Sequence, residues 1–116
     1  MLRLRYGDIH SAIQIPLTEW LAAYNLDLTQ RTAAIVVIKE RPTDADEAAL
    51  FTGDDEDGAI QVVGDLLLVR VLDYQGLIPR PTYHLAIGVK WAGDTHWREV
   101  PLADHRIQFE QDYLRA

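Results

Sequence analysis

The stretch from residue 83 to residue 91 constrains the fold of this chain more than any other part of the sequence. Large apolar side chains occupy every second position, and Tyr83, Leu85, Ile87, Val89 and Trp91 alternate with His84, Ala86, Gly88 and Lys90. Successive side chains of a β-strand point to opposite faces, so this period of two predicts a strand with one buried face and one wetter face.

A tight turn follows this strand. Ala92, Gly93 and Asp94 have turn chemistry, because glycine accepts a positive φ and aspartate can bond its own backbone. Residues 95–100 then lead the chain back, so the segment 83–100 is predicted to form a β-hairpin. In this register His96 lies roughly opposite Trp91 as a cross-strand partner.

Short strands are predicted along the rest of the chain, separated by turns at intervals of roughly eight to twelve residues. The predicted strands are residues 2–6, 12–15, 32–39, 59–63, 66–72 and 106–110, with turns or loops at Gly7-Asp8, 53–58, Gly64-Asp65 and 76–81. Two short helices are predicted as insertions, Thr18–Tyr24 with Thr18 as N-cap and Asp44–Phe51 with an acidic first turn. This spacing favours an all-β sandwich or barrel, and 116 residues suit one domain spanning 1–116.

A hydrophobic core is predicted between two antiparallel sheets about 10 Å apart. Its members are taken from the apolar positions of the predicted strands: Ile13, Ile15, Ile35, Val37, Val62, Leu66, Leu68, Tyr83, Leu85, Ile87 and Val89.

Composition excludes several classes of protein. The absence of cysteine rules out disulfides, thiolate zinc sites and cysteine nucleophiles. The first eight residues carry charges where a signal peptide needs an apolar region, and the longest apolar run, 33–38, is too short to span a membrane. We therefore expect an intracellular, soluble chain with no membrane partner.

The net charge of −7 comes from one segment. Eight acidic residues lie between positions 40 and 57, where Arg41 is the only base, and the rest of the chain is balanced. Duplex binding needs several Lys or Arg side chains on one face, whereas this chain has two Lys and nine scattered Arg. We predict no nucleic-acid partner.

The acidic run 54–57 is made of the residue types that bind calcium, but its spacing does not fit an EF-hand. If Gly58 is the sixth residue of the loop, Gly53 and Gly64 occupy the first and twelfth positions, where acidic ligands are required. We therefore predict a solvated, mobile loop and no metal site.

The sequence contains no recognisable catalytic set. His10, His84, His96 and His105 lack zinc-binding spacing, Ser11 lies outside a Gly-x-Ser-x-Gly motif, and the phosphate-binding glycine motifs are absent. The sequence does not exclude a catalytic pair of carboxylates of the glycosidase type. Trp20, Trp91 and Trp97 could line a sugar-binding face, although packing within the hairpin is the favoured role of Trp91 and Trp97. We predict that the protein is not an enzyme and has no cofactor.

The order of these features resembles the immunoglobulin-like N-terminal domain of phage upper baseplate proteins and related tail-associated domains of phages and prophages. The resemblance covers nearly the whole chain: Gly7-Asp8 after the first strand, Asp27-Leu28-Thr29 before the strand 32–39, an acidic loop, then the strands 59–63, 83–87 and 106–110. The segment Leu17–Leu26 is longer than the resemblance implies. The resemblance implies an immunoglobulin-like antiparallel β-sandwich in a virion or prophage structural protein.

Two functional hypotheses follow from the sequence. The first is a tail or baseplate protein that is made in the bacterial cytoplasm, is carried in the virion if a phage encodes it, and binds copies of itself or other tail proteins. Its predicted contact residues are Leu66, Leu68, Trp91 and Trp97, because aromatic residues are enriched at the cores of interfaces. The alternative is a small bacterial module that binds a glycan or a protein through the hairpin aromatics.

Overall fold

A computed structural model describes residues 2–5, 12–72, 77 and 82–110, and within these ranges the chain is mostly β-strand. The elements in chain order are β1 (Leu2–Arg5), β2 (Ile13–Pro16), α1 (Thr18–Tyr24), a 3-10 turn (Leu28–Gln30), β3 (Ala33–Lys39), a second 3-10 turn (Asp46–Ala48), β4 (Phe51–Asp54), β5 (Ile60–Val63), β6 (Leu66–Val69), β7 (Thr82–Lys90), β8 (Arg98–Glu99) and β9 (Arg106–Glu110). The predicted Gly7-Asp8 turn and most of the predicted loop 76–81 lie outside the described residues.

The strands form two sheets, which confirms the predicted all-β sandwich. The larger sheet has the order β1-β9-β7-β3-β4 with β8 also paired to β7, and the smaller sheet has the order β2-β6-β5. Consecutive strands lie in different sheets at four places: between β1 and β2, between β2 and β3, between β4 and β5, and between β6 and β7. The edge strand β4 and the two-residue strand β8 are additions to a sandwich of seven strands. Among those seven, the smaller sheet holds the second, fifth and fourth strands (β2, β6 and β5), and the larger sheet is built on the third and the last two (β3, β7 and β9). This is the strand order of an immunoglobulin-type sandwich.

One pairing differs from the predicted antiparallel pattern. β1 runs parallel to β9, with Leu2 opposite Ile107 and Leu4 opposite Phe109, whereas every other described pair is antiparallel. Parallel neighbours need a long connection between them, and here almost the whole sandwich separates β1 from β9. The sequence of a four-residue strand gives no information about the direction of such a distant partner.

The core lies between the sheets and is apolar throughout the described residues. Of the residues predicted for it, seven are buried: Ile13, Ile15, Val37, Tyr83, Leu85, Ile87 and Val89. Val37 is buried on the outward side of β3, whereas the other six belong to the cluster between the sheets. Val62 is half-buried and packs against the core. The rings of Tyr83 and Phe109, on neighbouring strands, lie 5.7 Å apart.

Three core predictions are wrong because the inward and outward faces were exchanged. Leu66 and Leu68 are only half-buried, whereas Leu67 and Val69 are buried completely or nearly so. A run of four apolar residues has no alternation, so the turn at Gly64-Asp65 sets the face by pairing Val63 with Leu66. Ile35 is likewise half-buried on β3, while Val36 and Ile38 point into the core.

The two helix predictions have different outcomes. The helix Thr18–Tyr24 is confirmed, but its N-cap is Leu17, with no side-chain capping bond, rather than Thr18. The predicted helix Asp44–Phe51 is wrong, since only a 3-10 turn at Asp46–Ala48 forms and Phe51 begins β4. Pairing of Phe51 with Ile38 on β3 outweighs the local helical signal because it buries the Phe51 side chain.

The predicted hairpin forms with a shorter return strand. β7 runs from Thr82 to Lys90 as expected, and Gly93 has the positive φ, +87°, that the turn requires. Only Arg98 and Glu99 pair with β7 in the returning strand, opposite Val89 and Gly88. His96 lies in the exposed loop before this pairing begins.

Candidate functional site

The outward side of the larger sheet has an apolar centre, which we call the large-sheet face: Ile35, Val37, Ala86, Gly88 and Trp97. The strand register places Val37 opposite Ala86 and Ile35 opposite Gly88, so these four residues form two adjacent rows on one side of the sheet. A shallow depression of about 230 Å³ lies over them and is bordered by Lys39, Glu99 and Trp97.

The side chain of Trp97 lies on the outward side of the sheet, directly over Gly88. A Cβ atom at Gly88 would lie 3.0 Å from the Cβ of Trp97 and 3.3 Å from its Cγ, closer than ordinary van der Waals contact. The indole is 40 % exposed, and the Nζ of Lys90 lies 4.4 Å from the centroid of its ring, within the range of a cation–π interaction. Gly88 therefore provides the space in which Trp97 rests on the sheet.

Asp94 organises the loop that carries Trp97. Its Oδ2 accepts hydrogen bonds from the Trp91 backbone N–H at 3.0 Å and from Arg98 Nε at 2.9 Å, and its Oδ1 accepts from Arg98 Nη2 at 3.2 Å. The bonds from Arg98 and then from Trp91 hold the pKa of Asp94 below its ordinary value. One carboxylate thus links the start of the loop to its end.

Charged residues surround the apolar centre, and the sign of their charge differs between its two ends. Lys39, His84 and Arg106 form a row across β3, β7 and β9. Four residues further along β7, the row through Ile35 and Gly88 is flanked by two acids, Asp54 on β4 and Glu99 on β8. Lys90 lies beyond this second row, and Arg106 is also bonded to Asp104, with Nη2 3.1 Å from Oδ2.

The smaller sheet also has an apolar outward side, which we call the small-sheet face: Pro16, Val63, Leu66 and Leu68. Pro16 and Val63 both pair with Leu66 and form one row, and Leu68 lies in the next row between Gln14 and Gln61. Val63 is 59 % exposed and the two leucines are half-buried. The two apolar faces therefore lie on opposite sides of the sandwich.

The four predicted contact residues do not form one surface. Trp97 lies on the large-sheet face, and Leu66 and Leu68 lie on the small-sheet face. Trp91 is buried at 9 % exposure, and its Nε1 donates a 2.8 Å hydrogen bond to the Asp27 carbonyl. Trp91 is therefore a core residue, and its prediction as a contact surface is corrected.

The three tryptophans do not line one sugar-binding face. Trp20 on α1 packs against Trp91 inside one end of the sandwich, with ring centroids 6.1 Å apart, whereas Trp97 lies on the outer side of the larger sheet. Ile35 and Val37 are the surface residues that sequence reasoning missed. Their adjacent apolar neighbours Val36 and Ile38 conceal the alternation that would have identified them.

The acidic segment forms a turn with hydrogen bonds inside it. Asp54 Oδ1 accepts from the backbone N–H groups of Glu56 and Asp57 at 2.9 and 2.8 Å, and Asp57 Oδ1 accepts from Asp54 and Ala59 at 3.2 and 2.8 Å. Asp55 forms a 3.0 Å ion pair with Arg31. In the part of the chain that the structure describes, no group of three or more His, Asp or Glu side chains could hold a metal ion.

The histidines have separate positions. His84 lies on the rim of the large-sheet face, and His105 Nδ1 is 3.0 Å from the Leu85 carbonyl oxygen. His96 is exposed, and both His10 and Ser11 lie outside the described residues. Among the described helices, none is long and apolar enough to cross a membrane.

Comparisons with known proteins find no matching protein-family model, no matching curated protein and no matching solved structure.

Proposed function

We propose that this protein is a non-enzymatic structural module that acts by protein–protein assembly, as tail and baseplate proteins of phages and prophages do. The observation that carries the proposal is the apolar patch on the outward side of each sheet. Trp97 and Val63 are 40 % and 59 % exposed, respectively. Grouped apolar side chains on the surface of a soluble domain mark sites of contact with other macromolecules.

The composition of the large-sheet face supports a protein partner. Its centre is apolar, and charged residues are confined to its borders. Protein interfaces have the same arrangement, with few charges at the core, enriched aromatic residues and a polar rim. Trp97 is of the residue type that contributes most binding energy in such interfaces.

The opposite placement of the two faces supports assembly beyond a single pair. A subunit of an extended or ring-shaped structure contacts at least two neighbours, and this sandwich has one apolar face available on each side. The phage context comes from the sequence resemblance, and the immunoglobulin-type strand order agrees with what that resemblance implies. We place the protein in the bacterial cytoplasm after synthesis and in the tail or baseplate after assembly.

The experiment measures binding between the purified protein and the products of the genes adjacent to its own. We expect a tail or baseplate protein to bind, and Leu68→Glu to weaken that binding by about tenfold or more because it places a charge in the small-sheet face. Gln30→Glu adds a negative charge at an exposed residue of the turn Leu28–Gln30, outside the small-sheet face, and serves as the control. A protein that stays monomeric, binds no adjacent gene product and is absent from purified particles would contradict the proposal.

Binding of a glycan is the alternative, and the exposed Trp97 beside the depression favours it. Sugar rings stack on aromatic planes, and Glu99 and Lys39 border the same depression, where they could bond hydroxyl groups. Screening the protein against a glycan array and repeating positive results with Trp97→Ala tests this function. Binding to a defined glycan that is lost in this variant, with unchanged melting temperature, would favour the alternative.

A further inference from the structure

We propose that the large-sheet face binds the same face of a second copy of this chain, with a two-fold axis that runs across the strands near Val37 and Ala86. This inference rests on the proposed assembly function and names the partner of one of its two faces. The size of the face, its apolar centre and the placement of its basic and acidic residues support this dimer.

The size of the face suits a specific dimer. The strands of the larger sheet contain 31 residues in total, with four in β1, seven in β3, four in β4, nine in β7, two in β8 and five in β9. At about 3.4 Å per residue and about 4.8 Å between strands, the sheet covers roughly 500 Å². Contact over this area would bury roughly 1,000 Å² over the two copies, which reaches the lower bound of a specific interface.

The charges select the direction of the two-fold axis. Lys39 and Arg106 lie at one end of the apolar centre. Asp54 and Glu99 lie at the other end, and Lys90, stacked on Trp97, lies beyond them. An axis parallel to the strands would place like-charged ends together, which is unfavourable. An axis across the strands reverses the second copy, so each basic end faces an acidic end.

The strand order makes this complementarity specific. After rotation about an axis across the strands, each strand of one copy lies over the same strand of the other copy. The row on one side of the Val37–Ala86 pair then lies over the partner's row from the other side of that pair. Arg106 on β9 then faces Glu99 of the partner subunit, because β9 and β8 occupy the same side of β7. Lys39 on β3 likewise approaches Asp54 of the partner subunit, one strand away.

The contact between Arg106 and Glu99 is compatible with the bonds that each of these residues makes within one copy. Arg106 donates to Asp104 through Nε and Nη2, and a guanidinium group has five N–H donors in total. The side chain of Glu99 is exposed and makes no hydrogen bond within the described part of the chain. The two-fold symmetry repeats each contact, so one substitution changes two places in the dimer.

Substitutions that reverse the charge of Glu99 or Arg106 test the arrangement, with dimerisation measured by analytical ultracentrifugation. We expect a dimer of the unmodified protein and at least about tenfold weaker dimerisation in Glu99→Arg and in Arg106→Glu, because each places like charges together. The double variant, Glu99→Arg with Arg106→Glu, should recover most of the lost affinity. Glu19→Arg on α1 makes the same charge change outside the large-sheet face and should leave dimerisation unchanged.

Cross-linking gives a second readout that does not depend on these charges. The chain has no cysteine, so Ala86→Cys introduces one thiol near the proposed axis, where two copies would lie within reach of a cross-linker that spans about 10 Å, the packing distance of sheets. Thr82→Cys lies four residues away on the same side of β7 and would be separated from its counterpart by about 27 Å. We expect the cross-linker to join two copies of the Ala86→Cys variant efficiently and not to join two copies of the Thr82→Cys variant.

Linkage of Thr82→Cys, or single and double charge variants of equal affinity, would overturn this arrangement. If the protein is monomeric but Leu68→Glu still abolishes binding to an adjacent gene product, the dimer is wrong and the assembly function stands. If neither self-association nor that binding occurs, both proposals are wrong.

Discussion

At the scale of single residues, Gly88 and Asp94 determine how Trp97 is presented. Gly88 leaves room above the sheet for the indole, and Asp94 holds together the two ends of the loop that carries it. Both act by fixing the position of Trp97, so substitutions at either should alter the large-sheet face indirectly.

Gly88→Ala should destabilise the protein through Trp97. The added methyl group meets Trp97 Cβ at 3.0 Å, and overpacking of this kind costs about 1–3 kcal/mol. In a Trp97→Ala background the same change should be neutral or stabilising by about 0.4–1 kcal/mol, because Ala reduces the entropy of the unfolded chain. Urea unfolding of the four proteins measures this coupling, and equal costs in both backgrounds would contradict the contact.

Asp94→Asn should reduce stability at neutral pH but not in acid. The pKa of Asp94 is below its ordinary value of 3.8 in the folded protein, so its contribution to stability is present above that value. The contribution is lost as the pH falls through the lower pKa of the folded state. Urea midpoints measured from pH 7 to pH 2.5 should therefore differ between the two proteins at neutral pH, and the difference should shrink as the pH falls below 3.8. A constant difference would contradict the role of the charge.

At the scale of elements, turns set which side of each strand faces the core. The Gly64-Asp65 turn fixes the register of β5 and β6, and the acidic turn 54–59 carries the chain from the larger sheet to the smaller one. In both cases the flanking strands are only four residues long. Their own sequences therefore contain little information about orientation, and the turn geometry supplies it.

The register of β6 predicts opposite effects at two adjacent leucines. Leu67 is completely buried, so Leu67→Ala should cost about 2–5 kcal/mol. Leu68 faces outward, so Leu68→Ala should cost less than about 1 kcal/mol. Thermal and urea unfolding at low protein concentration separates folding from association, and a larger cost at Leu68 would show that the faces are exchanged.

The acidic turn predicts a stabilising role for Asp57 despite the high local charge. Its Oδ1 accepts from the Asp54 and Ala59 backbone N–H groups, and loss of two hydrogen bonds in Asp57→Ala should cost about 1–2 kcal/mol. Glu56→Ala removes a charge of the same sign from an exposed side chain on the same turn and serves as the control. Equal melting temperatures for both variants would indicate that only the charge matters.

At the scale of the whole molecule, the sandwich has two apolar faces and therefore two directions in which it can associate. The proposed two-fold contact uses the larger sheet and leaves the small-sheet face on both outer sides of the dimer. A dimer of this form can join two further partners, which is the property required of a component of a tail or baseplate. The interior tryptophans Trp20 and Trp91 stabilise the fold and take no part in these contacts.

The sequence by itself determined the β7 strand, the turn at Gly93, the helix α1 and the all-β class, because each depends on local alternation or on local backbone chemistry. It also excluded cysteine chemistry through composition alone. The tertiary structure decided the parallel pairing of β1 with β9, the inward face of β6 and the burial of Trp91. These features depend on partners distant in sequence, and in Leu66–Val69 and Ile35–Ile38 unbroken apolar runs remove the alternation from which a face is inferred. Only the folded chain therefore separates the residues that build the core from those that form the two outward faces.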